Sequence, residues 1–459
     1  MSSAEPATPA IATETVAQKR NDIDIEEARA LWSLSTRFLL QLDALVETAN
    51  RIMIITRRSR ARAQDELKAF VTPRLGSDEG GKKLTLKSSS PEFYEYQKLS
   101  KSASKASEAM RLVPRSFLVS MVTQYDTFLA ETVRRLFKLK PEKVRTAESS
   151  MKVKEIVKFT SIEDLIKQLI DDEIDDALRG SHTSQLEWIA KRFDITLDWK
   201  DPLLQRFTEL TERRNAYVHS DGYINRQYIS VCSALTEEVV PERTLGKHLP
   251  LQRNYLEGAR DTLFEVAMRT LQLAWRKQRQ DQGHEQDIAL NEIIFDLLKR
   301  EDYRLARSLA DFAASLRNHA SDRNKRMLAI NRAQAYKWSG KEEEAIKIID
   351  GLDWTSASAN FKLVVAVIKN DFSLAAKLIS HIPSDIEDED AMPAEAYRSW
   401  PVFKFARKDE TFLRAFEEKF KEPLFAETVD VPTIQLPDEV GSIAADQLME
   451  SHAANVDQA

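Results

Sequence analysis

The sequence predicts an all-α protein, on two observations. Only 11 glycines and 15 prolines punctuate its 459 residues, and valine–threonine alternations are few, which suits long helices better than a sheet with many turns. Apolar residues also recur at three- and four-residue steps along much of the chain, the period of a helix with one buried face. With 42% hydrophobic and 31% charged residues the composition is that of a folded protein. At about 100–200 residues per domain, two or three domains are expected.

Residues 1–22 are small and polar with no apolar face, and disorder is expected there. From Ile23 to Phe70 the pattern turns helical, through Leu31, Leu34, Phe38, Leu42, Leu45 and Val46. This helix runs into Arg57, Arg58, Arg60 and Arg62, which read either as a solvated helix end or as a local phosphate-binding patch. Residues 77–92 have the composition of a loop. A long helix follows Pro114, carrying Leu118, Met121, Tyr125, Phe128, Leu129, Val133 and Leu136. Helical segments are predicted over 161–178 and 183–193, the acidic run 163–176 forming a solvated face. Asp201 as N-cap with Pro202 at the first position opens the next helix, and Gly222 ends it. Another amphipathic helix spans 252–279, through Tyr255, Leu263, Val266, Leu271 and Trp275.

After Gly283 the chain changes character. Segments 300–310, 339–349 and 369–379 are versions of one phrase, a turn followed by a helix with a small residue (Ala306, Ala345, Ala375) where helices would meet closely. The spacings of 39 and 30 residues bracket the period of about 34 typical of tetratricopeptide repeats, which this region resembles. Segment 331–352 is the clearest copy and 399–416 the expected terminal pair, with an acidic loop at 385–390. The expected domains are therefore 23–280 (N-terminal helices 23–110, core about 111–280) and a repeat region 285–424, followed by a flexible tail 425–459.

A net charge of −6 gives no global reason to bind nucleic acid, so any basic surface must be local. The single cysteine, Cys232, allows no intramolecular disulfide or thiolate cage and suits a reducing compartment. No apolar run approaches about eighteen residues, and the N-terminus lacks a basic-then-apolar signal, so a cytoplasmic protein that does not touch a membrane is expected. His182, His248, His284, His319, His381 and His452 lack ligand spacing, so no metal is expected. Neither a phosphate-cradling glycine loop nor a nucleophile elbow is found, so no cofactor is expected.

Arginine, four residues, then histidine occurs three times. Arg243–His248 lies among proline and glycine, and Arg279–His284 at a polar helix end. Only Arg214–His219 lies on a well-capped amphipathic helix. At about 100° per residue Arg214 falls in the stripe of Leu203, Phe207, Leu210 and Val218, with His219 about 140° away. A charge there must be paired, for instance with Asp126, or must line a cleft.

The wording RRNAYVHSDGYINRQY (213–228) resembles the signature of the HEPN family (higher eukaryotes and prokaryotes nucleotide-binding), in which an arginine, often followed by a polar residue, precedes a histidine near a helix end. SFLVSMVTQYDTFLAETVRRLF (116–137) resembles that family's first long core helix. The resemblance implies a helical bundle that homodimerises with two Arg–His motifs facing across a cleft. It also implies metal-independent cleavage of RNA, such as tRNA or mRNA, by 2′-hydroxyl attack, in a defence or toxin-like role. Arg214, His219 and Asn215 would be catalytic, and Arg213 and Tyr217 weaker RNA contacts beside the arginines at 57–62. The repeats would bind a protein partner or sense a trigger. One departure stands out: members controlled by tyrosine adenylylation carry a tyrosine two residues after the histidine, where this chain has Asp221. The alternatives are an inactive HEPN scaffold that binds nucleic acid or protein, and a helical adaptor in which Arg214 is one half of a buried ion pair.

Overall fold

A long unbroken pattern of good helix formers dictates the first element, and it starts earlier than its apolar face. The computed structural model describes residues 10–78, 81–140, 143, 156, 159–384 and 390–425. In it helix α1 spans Ala10–Val71, so the segment expected to be disordered is helical from Ala10. Residues 10–22 hold three alanines with Glu14, Gln18, Lys19 and Arg20 and no glycine or proline, so propensity does not oppose a helix there. The first nine residues lie outside the described residues.

Strands β1 (Leu75–Asp78) and β2 (Gly81–Leu84) form an antiparallel hairpin with Leu75 opposite Leu84, where a loop was expected. Helix α2 spans Pro91–Leu139 and runs through Pro114, which is buried. The sequence placed its start after that proline. The Ser90 hydroxyl caps it, accepting from the Phe93 amide at 3.2 Å. The packing of so long a helix outweighs the roughly 3 kcal/mol penalty of an interior proline.

Leu31, Leu34, Phe38 and Leu42 of α1 are buried, as are Leu118, Met121, Tyr125 and Phe128 of α2. Phe38 stacks on Phe128 at 4.7 Å. Helices α3 (Ile162–Leu178), α4 (His182–Arg192), α5 (Pro202–Ser220), α6 (Arg226–Cys232) and α7 (Arg253–Gln278) complete this unit, which ends at Gln286. Side chains of Ser161, Ser181, Asp201 and Asn225 cap the first four of these. The acidic run on α3 is not wholly solvated. Ile170 and Ile174 are buried within it, Asp171 pairs with Arg134 at 2.8 Å and Glu173 with Arg192 at 2.9 Å.

The second unit runs from Asp287. Helix α8 (Gly283–Lys299) leads into it, and α8 with α9 (Tyr303–Ser315), α10 (Asp322–Trp338) with α11 (Glu342–Asp350), and α12 (Ala359–Ile368) with α13 (Phe372–Ile379) follow in order as three helix–turn–helix units. The turns share one geometry. Glu301, Gly340 and Asn370 are left-handed at φ 61, 78 and 61. The next residue's amide then donates five residues back: Asp302 to Leu297 at 2.9 Å, Lys341 to Tyr336 at 3.0 Å, Asp371 to Ala366 at 2.9 Å. That is the hydrogen bond that closes a helix end through a left-handed residue. Ala306, Ala345 and Ala375 are each fully buried at the same place after the turn.

The segment 399–416 is not a helix pair. Short helix α14 (Ala394–Ser399) leads into two 3₁₀ turns (Pro401–Lys404, Ala406–Lys408) and α15 (Glu410–Phe420), because Pro401 interrupts the pattern. Of the acidic loop, 385–389 lies outside the described residues; Asp390 accepts from Arg323 at 2.7 Å. Within the tail, residues 426–459 are outside them too. Among the described residues no helix is long and apolar enough to cross a membrane.

Candidate functional site

Helix α5 carries the site, and both of its ends are set by sequence. The Asp201 carboxylate accepts from the Leu203 amide at 2.8 Å, with Pro202 at the first position. At the other end Asp221 and Gly222 are consecutive left-handed residues at φ 56 and 81. A Cβ on Gly222 would meet the Tyr217 ring at 2.5 Å, so glycine is needed for space as well as conformation. The Asp221 carboxylate receives Arg111 and Arg115 of α2, the latter at 2.8 Å, which anchors this helix end. The Arg111 hydrogen bond holds that carboxyl below the usual range.

Arg214, Asn215 and His219 line one cleft of about 460 Å³. Arg214 Nη1 donates to Asn215 Oδ1 at 3.0 Å, and Asn215 Nδ2 donates to Glu212 Oε1 at 3.3 Å. This relay braces the guanidinium from one side. Glu212 is buried, and burial raises its carboxyl above the usual range. Arg214 Nε is buried with no hydrogen-bond partner among the described residues, and no carboxylate there pairs with this arginine. A fixed cation with an unmet donor suits an anion. His219 is exposed at the helix end. Of the apolar stripe predicted around Arg214, Leu203, Phe207 and Leu210 are buried, but Val218 is 38% exposed because the last turn extends past the core.

Three predicted assignments need correcting. Asp126 lines the cleft but does not partner Arg214; its Oδ1 lies 3.0 Å from His182 Nε2. Arg213 faces inward, donating to Glu209 Oε1 at 2.7 Å and to the Pro250 carbonyl at 2.9 Å, with its guanidinium 4.1 Å from the centre of the Tyr255 ring. It does not line the cleft. Tyr217 is buried beneath Gly222, its hydroxyl donating to the Leu249 carbonyl, and burial pushes its pKa up to about 12. Its ring is unavailable for stacking on a base.

Arg57, Arg58, Arg60 and Arg62 are exposed on α1, and none lines the cleft. Arg57 borders a separate depression with Met53, Met110 and Glu257, and Arg62 pairs with Glu66 at 2.9 Å. The other two Arg–His matches lie apart from the cleft. His248 packs edge-on against Tyr217 and Tyr223, and Arg279 bonds Asp281 at 2.7 Å. Burial pushes the Cys232 thiol up to about 12, which leaves it a poor nucleophile. No cluster of three or more His, Cys, Asp or Glu side chains among the described residues is placed to hold a metal ion.

The sequence reading missed His182, Gln185, Arg179 and Glu212, which also line the cleft. The local signal for His182 was its place after the capping Ser181, but no spacing tied it to Arg214. Comparison with known proteins finds no matching family model, no similar curated protein and no solved structure of matching fold.

Proposed function

We propose that this chain is a metal-independent endoribonuclease of the HEPN type, acting at the cleft of Arg214, Asn215 and His219. One observation carries the reading. A guanidinium with a buried, unpartnered Nε is braced by Asn215 in the same cleft as a histidine. The ribose 2′-oxygen attacks the adjacent phosphorus, and Arg214 stabilises the charge that builds on the phosphoryl oxygens. A histidine moves the proton, leaving a 2′,3′-cyclic phosphate and a 5′-hydroxyl. The bundle would pair with a second copy, and the three hairpins of the second unit, tetratricopeptide-like in their turns, would take a protein partner or trigger. A role in defence or as a toxin follows from the HEPN resemblance alone.

The non-catalytic reading is favoured by one feature, the exposed arginines on α1. Incubating the purified chain with total RNA and a tRNA pool in excess chelator, beside His219→Ala, separates the two. Cleavage by the wild type alone, with cyclic-phosphate ends, supports the enzyme. RNA binding without cleavage that weakens when Arg57, Arg58, Arg60 and Arg62 become glutamine supports the scaffold, with a steep salt dependence.

A further inference from the structure

We infer that His182, held by Asp126, is the general base of this cleft and His219 its general acid, so that one copy of the chain carries both proton-transfer groups. The inference rests on the ribonuclease reading above. His182 begins α4, where Ser181 fixes the backbone by accepting from the Ser184 amide at 3.2 Å. Its ring lies 6.4 Å from Tyr125 and 6.3 Å from Phe207, and its side chain is 7% exposed. Nε2 is 3.0 Å from Asp126 Oδ1.

An ionised carboxylate only accepts, so the shared proton sits on Nε2 and the lone pair on Nδ1. Nδ1 has no protein partner among the described residues. A carboxylate–histidine pair of this kind fixes the tautomer and stabilises the imidazolium as it forms. The surrounding charged and titratable groups are Tyr125 and Asp126 from α2, Arg179 before α4, and Glu212, Arg214 and His219 from α5.

The step balances without metal or water. Nδ1 of His182 takes the 2′-hydroxyl proton as the O2′–P bond forms. The P–O5′ bond breaks with its electron pair on O5′, which takes a proton from His219. Exchange with solvent then returns both histidines to their starting states.

The test uses the full chain, an oligoribonucleotide that it cleaves, and the same oligonucleotide with sulfur replacing the bridging 5′-oxygen at the scissile bond. A thiolate leaves without protonation, so the sulfur substrate dispenses with the acid. His182→Gln, which can still donate to Asp126 but cannot take the proton, should slow both substrates about 10²–10⁴-fold. It should also remove the acid limb of the pH–rate profile. His219→Gln should be slow on the oxygen substrate and recover on sulfur. Asp126→Asn should lose less and displace the acid limb, with RNA binding unchanged; thermal melts confirm that each variant folds. A His182→Gln variant that keeps pace with wild type, or recovers on sulfur, overturns this assignment alone. A wild type that cleaves no RNA overturns the ribonuclease reading and this assignment with it.

Discussion

Two faces of α5 carry adjacent arginines with opposite fates. On the inner face Arg213 meets Glu209, whose carboxylate also accepts from Tyr228 at 2.7 Å and Tyr255 at 2.8 Å. Burial and the nearby Glu209 charge raise the pKa values of both tyrosines, so they stay protonated as donors. Every group in that node has partners. On the cleft face Arg214 has Asn215 on one side and an unmet Nε. The inner arginine is spent on the fold, whereas the outer one keeps donors in reserve. Within α5, the lack of a carboxylate partner, and not burial alone, is what sets Arg214 apart from Arg213 as the candidate anion-binding residue.

The largest effect should come from breaking the saturated face. Arg213→Ala strands a buried carboxylate and should lower unfolding free energy by about 3–5 kcal/mol, read from urea midpoints. An unchanged midpoint would mean that Glu209 is satisfied without it. Arg214→Ala should behave oppositely, cutting RNA cleavage about 10²–10³-fold while moving the midpoint little. Gly222→Ala, which forces a Cβ toward the Tyr217 ring at a left-handed φ, should cost about 1–3 kcal/mol. Free rotation of that turn would show as no cost.

The smallest effect concerns the anchor of the helix end. The folded carboxyl of Asp221 lies below its ordinary value of 3.8. Its contribution is therefore present above that value and is lost as pH falls through the lower folded one. Melting curves of wild type and Asp221→Asn should differ at pH 6 and converge as pH drops below about 4. A constant gap across that range would remove Asp221 from the account.

The ends of α5 were legible because Asp201–Pro202 and Asp221–Gly222 act locally, through caps and left-handed turns. The three hairpin turns were legible for the same reason, as Glu301, Gly340 and Asn370 sit at one position of a repeated phrase. The division of labour between Arg213 and Arg214 was not, since it depends on Glu209, Tyr228 and Tyr255 converging from three helices. His182 stayed hidden likewise: its partner Asp126 is 56 residues away in the chain. Pro114 misled because a local helix-breaking rule yields to the packing of a long helix.

One measurement bears most directly on the central claim, that the outer face of α5 is an RNA-cleaving anion site and not part of the scaffold. Wild type and Arg214→Ala would be melted and assayed on total RNA from the same preparations, in excess chelator. The account predicts matching melting temperatures, with cyclic-phosphate fragments from the wild type only. Equal fragment patterns from both proteins, or a collapse in the melting temperature of the variant, would contradict it.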